Sequence, residues 1–307
     1  MSGSVLFCYD GSDCAAHAIE RAATLLVPRR ALVCHTWIGL SRVLLRADTA
    51  GLEGPIAEAA REIDETDDRL ARELATEGAH LARAAGFDAQ PLAVEERAKT
   101  WRTILATAEE HASPVIVLGA RGRTGVAGAL LGSVSSAVAN HAERPVLIVP
   151  RTTPAGTGPL LLAHDGSDHA AHAIRTGAEL LSERRAVVVD VWRSWAATAP
   201  GLARMSAGVG EIARKLDESV ERQAEEVCAE GAELARSAGL EPDQQPRRGD
   251  GPEWRALLDA ADEVDAAAIV MGSRGLTGLS GVLGSVSHGL VHQTRRPVLV
   301  VPAPHEP

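Results

Sequence analysis

Two glycine-rich segments, each leading into Gly-Ser, carry residue types suited to holding a phosphate. The first runs Gly119-Ala120-Arg121-Gly122 and continues to Gly132-Ser133-Val134-Ser135. The second runs Gly272-Ser273-Arg274-Gly275 and continues to Gly284-Ser285-Val286-Ser287. Each follows a short apolar run, Val115–Leu118 or Ala268–Met271, and each precedes another, Pro145–Val149 or Pro297–Val301. Glycines let backbone N–H groups approach an anion with no Cβ in the way. A helix that starts at Gly-Ser adds partial positive charge, and the serine hydroxyls add donors. Arg121 and Arg274, between the paired glycines, are placed either to reach a phosphate or to face solvent.

The elements that must position these loops occur twice. Val5–Asp13 and Leu160–Asp168 share the ending Asp-Gly-Ser-Asp, followed by Ala15-Ala16-His17-Ala18-Ile19 and Ala170-Ala171-His172-Ala173-Ile174. Trp37 and Trp192 keep the same offset. A repeat this long is a domain and not a solenoid unit. The expected division is a domain over 1–150, a polar linker over 151–158 and a second domain over 159–307. Strands are expected at 4–10, 31–37, 90–95, 114–119 and 145–150, and at 159–165, 186–192, 244–248, 267–272 and 297–302. Most are aliphatic runs, as in parallel strands buried on both faces. The third of each set is polar and contains a proline, which suits a sheet edge. The long helices after the second strands show apolar stripes, Ile63, Leu70, Leu74 and Leu81, and Ile212, Leu216, Val220, Val227 and Leu234. Acidic residues between them, such as Glu62, Asp64, Asp67 and Asp68, read as a solvated face. Alternating β and α units imply a doubly wound sheet, with ligands beyond the carboxyl ends of the strands. Asp10, Asp165 and the glycine loops all fall there.

Composition narrows the functional classes. The formal charge is −10, which disfavours nonspecific nucleic-acid binding. Aromatic residues make up 3%, too few for base-stacking platforms. No run approaches membrane-span length, and Met1–Ser4 leads directly into a strand, so the expected setting is cytoplasmic, without a membrane partner. Cys8, Cys14, Cys34 and Cys228 lack metal-ligand spacing and differ between the repeats, consistent with free thiols in a reducing compartment. No Walker lysine follows the glycines. His17 and His172 have no ligand partners at suitable spacing and read as packing or surface residues. Trp101 and Trp254 open the helix after the third strand as core anchors. Asp10 and Asp165 also suit a plain turn or helix cap.

Each repeat resembles a universal stress protein domain over its whole length. The resemblance rests on the Asp-Gly-Ser opening, the Gly-x2-Gly-x9-Gly-Ser loop and the closing Arg-Pro-Val-Leu-(Ile/Val)-Val-Pro strand. It implies two tandem α/β domains, each a five-stranded parallel sheet of order 3-2-1-4-5 with helices on both faces. Resemblance to the ATP-binding branch of the family implies that Asp10 and Asp165 line a nucleoside pocket. Thr36 and Val191 would offer backbone to the adenine edge. Gly119, Gly122, Gly132, Ser133 and Ser135, with Gly272, Gly275, Gly284, Ser285 and Ser287, would hold ribose and phosphates. The second loop is one residue shorter between Gly275 and Gly284. The resemblance further implies ATP with Mg2+, a regulatory rather than strongly catalytic role in stress or dormancy, and apolar fifth strands that pair. The expected assembly is a homodimer of intramolecular pseudo-dimers. A slow ATPase and a nucleotide-independent scaffold are the alternative readings.

Overall fold

Short runs of β-branched and aliphatic residues, too short for helices and bounded by turn residues, form the strands. A computed structural model describes residues 3–27, 30–46, 55–122, 131–154, 157–182, 185–194, 207–274 and 283–304. The chain folds as two compact units, Met1–Arg151 and Thr152–Pro307.

The first unit contains β1 (Val5–Cys8), α1 (Asp13–Leu25), β2 (Arg30–Trp37), α2 (Leu40–Arg46), α3 (Pro55–Ala84), β3 (Asp88–Glu95), α4 (Thr100–Glu110), β4 (Ile116–Gly119), α5 (Ser133–His141) and β5 (Val146–Val149). The strands are parallel in the order β3-β2-β1-β4-β5. Helices α1 and α5 pack near β4 and β5, while α3 packs on β2 and β3. β1 sits between β2 and β4, with Phe7 in register with Val33 and Val117. This order brings the carboxyl ends of β1 and β4, with Asp10 and Gly119 at or just past them, side by side.

The second unit contains β6 (Leu160–Ala163), α6 (Asp168–Leu180), β7 (Arg185–Val189), β8 (Val191–Trp192), α7 (Ala207–Ser237), β9 (Glu241–Gln244), β10 (Arg247–Arg248), α8 (Glu253–Glu263), β11 (Ala268–Gly272), α9 (Ser285–Gln293) and β12 (Val298–Val301). Its main strands run in the order β9-β7-β6-β11-β12, again parallel. Both units are therefore doubly wound α/β folds. The second and third strands of this unit are split, where the sequence suggests single strands over 186–192 and 244–248. Pro246 lacks an N–H for the ladder, and the Asp190 N–H points at Cys228 Sγ, 3.3 Å away. Pairing resumes as β8 against β10.

The long helices correct the expected apolar stripe. Ile63 and Leu70 are 44% and 49% exposed, and Ile212 and Leu216 are also exposed. The buried seam is small: Ala71, Ala75, Ala79 and Ala82 in α3, and Ala224, Cys228, Ala232 and Ala235 in α7. The helix backbone lies too close to the sheet for larger groups. A Cβ on Gly78 would lie 2.7 Å from Tyr9 and Val33, and one on Gly231 would lie 2.7 Å from His164. The acidic face is not wholly solvated either. Asp64 accepts hydrogen bonds from the Leu40 and Ser41 amides and so caps α2. Trp101 stacks on His141, with centroids 4.6 Å apart, and so ties α4 to α5. Trp254 lies against Gly289 of α9. Both tryptophans remain partly exposed and act as helix-to-helix anchors.

Candidate functional site

Each unit begins its site with a tight turn. Gly11 and Gly166 both have φ +78°, a conformation that a side chain disfavours. The turn places Ser12 and Ser167 as N-caps of α1 and α6, where they accept from Ala15 N and Ala170 N. Asp10 Oδ1 accepts from Ser12 N at 3.1 Å and Ser12 Oγ at 2.6 Å. Asp165 makes the same pair of contacts with Ser167. The aspartates thus do serve the turn and cap, through one oxygen. The other oxygen of Asp10 lies beside Gly122, where a Cβ would come within 2.6 Å of Oδ2.

The glycine loops do two separate jobs. Gly119 is needed by packing, because a Cβ there would sit 2.9 Å from the Cys14 carbonyl oxygen. Gly122 and Gly132 face the site. Neither has positive φ, so what they permit is close approach and not a special conformation: a Cβ on Gly122 would meet the Asp10 carboxylate and one on Gly132 the Ala120 carbonyl. Gly132 N donates to Ala120 O at 2.7 Å, and Gly284 N to Ser273 O at 2.9 Å, which pins the second half of each loop to the first. Gly275 lies outside the described residues. So does the segment where the second loop is shorter.

Helix termini supply the electrostatics. α1 and α6 are capped by serine, but α5 and α9 start at Gly132 and Gly284 with no side-chain cap. Their first-turn amides carry no intrahelical partner, which makes each start an anion-binding position. Ser133 and Ser285 stand in the first turn. Ser135 and Ser287 are buried and donate to Gly119 O at 2.8 Å and Gly272 O at 2.9 Å. Their protons clamp helix to strand, so they offer the site an acceptor and shape but no donor.

A cavity of about 520 Å³ collects these groups in the first unit: Asp10, Thr36, Gly119, Arg121, Gly122, Gly132, Ser133 and Ser135 all line it. In the second unit a cavity of about 490 Å³ is lined by Asp165, Val191, Gly272, Arg274, Gly284, Ser285 and Ser287. Nucleotide-sized ligands fit pockets of this order. Every predicted site residue that is described therefore lines one of the two cavities. Arg274 Nε is buried and has no hydrogen-bond partner among the described residues.

The structure adds residues that the sequence reading missed. In the first unit these include Cys8, Tyr9, Cys34, His35, Glu96 and Ile104. Thr36 Oγ1 donates to Glu96 Oε1 at 2.9 Å, and Glu96 is only 6% exposed. Tyr9 lies with its hydroxyl donating to Glu77 at 2.7 Å, and burial and that carboxylate raise its pKa. The second unit has His164 and Asp190 at the Tyr9 and His35 positions. His164 is 2% exposed, with neither ring nitrogen partnered among the described residues. Burial holds its pKa below the ordinary histidine value. Burial pushes the Asp190 carboxyl up to about 6, helped by Asp165 and Glu253. Side-chain register across strands 1 and 2 was the signal that could have found these pairs. His17 and His172 lie half-buried on α1 and α6, apart from both cavity linings, with pKa values lowered by burial.

A doubly wound unit with a glycine loop over an uncapped helix start, repeated in tandem, defines the class. The universal stress protein family matches residues 1–150 and 157–302, and the chain belongs to that family. A universal stress protein of Mycobacterium tuberculosis is 33% identical over 205 residues, covering 63% of this chain and 60% of that protein. The chain thus matches less than two thirds of the length of such relatives. The Bacillus subtilis universal stress protein YxiE is 28% identical over 145 residues, covering 46% of this chain and 97% of its own. A universal stress protein structure from Archaeoglobus fulgidus superposes with TM-score 0.60 at 21% identity, covering 98% of this chain and 99% of that one. That likeness concerns the fold. Among the described residues, no helix is long and apolar enough to cross a membrane.

Proposed function

We propose that each unit binds an adenine nucleotide, ATP in the first instance, and that the chain acts as a nucleotide-responsive regulator and not as a robust enzyme. The observation that carries this reading is the meeting of two features in one cavity. Gly122 lets the loop backbone close onto Asp10, where a Cβ would come within 2.6 Å of Oδ2, and the α5 start on the same cavity lacks a side-chain cap. Phosphates fit this cradle: backbone amides of Ser133 and its neighbours donate, and Arg121 supplies charge from the rim. The base then lies toward the ends of β1 and β2, against Thr36 and Ile104. In the second unit Val191, Arg274 and Ser285 take the matching roles, with Gly275 expected to complete the loop.

Mg2+ would accompany the phosphates, held by them and by water, as is usual for this ion. Among the described residues no cluster of three metal-ligating side chains occurs. A regulator fits the lining better than a hydrolase. The Asp10 carboxylate is already engaged by the Ser12 turn, and the Ser135 proton by Gly119 O. Assembly into a homodimer belongs to the same proposal and is checked by light scattering with and without nucleotide. Isothermal titration of the full chain with MgATP tests the binding reading. Saturable uptake with competition by ADP supports it, and no heat at millimolar ATP rejects it.

A further inference from the structure

Cys8 ends β1 and Cys34 lies on β2, and the two are partners in the parallel register. In-register side chains stand on one face of a sheet, and both cysteines line the first unit's cavity. Adjacent strands hold partner Cα atoms about 4.8 Å apart, within the roughly 4.4–6.8 Å that a disulfide spans. Cys34 is 2% exposed, whereas Cys8 keeps partial exposure. The second unit has Ala163 and Val189 at the same register. The fold therefore does not require a thiol at either position.

We propose that Cys8 and Cys34 form a two-electron oxidation site in the floor of the N-terminal cavity, with a hydroperoxide as oxidant and a disulfide as product. The Cys8 thiolate attacks the peroxide oxygen. The O–O bond breaks, the leaving oxygen departs as water or alcohol after taking up a proton, and Cys8 becomes a sulfenic acid. The Cys34 sulfur then attacks the Cys8 sulfur. The S–S bond forms, the S–O bond breaks, and the hydroxyl leaves as water with the Cys34 proton. The two sulfurs together lose two electrons, and the peroxide gains them. A disulfide carries no charge into this buried floor, whereas a thiolate-bound metal would leave charge there and needs further donors. No third ligating side chain joins the pair among the described residues. Burial holds the Cys8 pKa well above the usual thiol value, with the Cys34 and Asp10 charges adding to it, and raises Cys34 to about 12. The reaction is therefore slow at neutral pH and accelerates with base.

The coupling of this site to nucleotide rests on the binding reading above; the oxidation itself does not. Full-length chain without nucleotide is treated with excess hydrogen peroxide, remaining thiols are alkylated, and digested peptides are weighed. A Cys8–Cys34 linked pair is expected, forming faster as pH is raised. The variants Cys8→Ala and Cys34→Val, which copy the second unit, should each abolish it. Sulfinic acid at Cys8 without linkage, or linkage of Cys8 to Cys14 or Cys228 instead, overturns the proposal. The reaction is then repeated with MgATP at ~10 times its Kd, where linkage should slow about tenfold because only the ligand-free fraction reacts. Linkage that forms but is not slowed upholds the thiol site and rejects the nucleotide reading of this cavity. Absent linkage in a chain that still binds ATP by titration does the reverse.

Discussion

The two cavities are alike on one wall and differ on the other. On the loop side both present a glycine loop, an uncapped nine-residue helix and a serine that clamps helix to strand. On the strand side the first unit has Cys8, Tyr9, Cys34 and His35 where the second has Ala163, His164, Val189 and Asp190. Glu96, bonded to Thr36, falls where the second unit has Gly249, since both donate backbone N–H to the carbonyl of the matching tryptophan. The repeated wall is the one that suits a phosphate, which is the same in every nucleotide. In the proposed binding mode the divergent wall faces the base. The comparison teaches that one loop-and-helix framework can be held fixed while the residues above it change.

The largest effect is expected at Gly122. Gly122→Val places a side chain against Asp10 Oδ2 and should lower ATP affinity of the first unit by about a hundredfold or more, roughly 3 kcal/mol. Titration should lose one site while circular dichroism stays native. Gly119→Ala draws the contrast, because its Cβ meets the Cys14 backbone. It should cost about 1–3 kcal/mol of stability by overpacking, read by denaturant unfolding. Equal behaviour of the two variants would erase the distinction between packing glycine and binding glycine.

Next comes the inequality of the sites. The shorter second loop should forfeit one charge-assisted hydrogen bond, about 1.5–3 kcal/mol or tenfold to over a hundredfold in affinity. Calorimetry on Asp10→Ala and Asp165→Ala isolates each site in turn. A second site as tight as the first would show that the deletion is absorbed without loss.

A smaller effect should appear in pH dependence. The folded pKa of Asp190 is about 6, above its ordinary 3.8. The folded state then holds this proton more tightly than the unfolded state, so stability falls as pH rises through that window. Asp190→Asn should match wild type near pH 4 and exceed it by about 1–2 kcal/mol at pH 7, after allowance for partial solvent contact. Urea unfolding at both pH values reads this. A gain equal at both would assign the effect to packing or hydrogen bonding and not to ionisation.

The smallest effect is at Thr36. Thr36→Val copies Val191 of the second unit and removes the hydroxyl bonded to Glu96. It should cost about 1 kcal/mol of stability. Adding Glu96→Gln should recover part of that loss, since the burdened group is the buried carboxylate. No recovery would indicate that Glu96 does not depend on this bond.

The glycine loops and the Asp-Gly-Ser turn were legible in the sequence because they occur twice at matching places. Their chemistry also follows from residue type alone: glycine makes space, and a helix start attracts an anion. Glu96, His35 and Asp190 were not legible. None has a counterpart of the same type in the other repeat, and their meeting depends on strand register and on which face a side chain takes. The long helices misled for a physical reason. Counting Ile, Leu and Val locates a stripe, but the helix approaches the sheet through Ala75, Ala79 and Gly78, and close approach selects small residues. Splitting of the third strand at Pro246 was likewise hidden, since Pro91 sits within an unbroken β3.

Native mass spectrometry of the full chain with saturating MgATP tests the central claim most directly. Two nucleotides per chain are predicted for wild type. Gly122→Val should carry one, and the same variant combined with Asp165→Ala should carry fewer than one on average. A wild-type chain that takes up no nucleotide, or a Gly122→Val chain that still takes up two, would contradict the account.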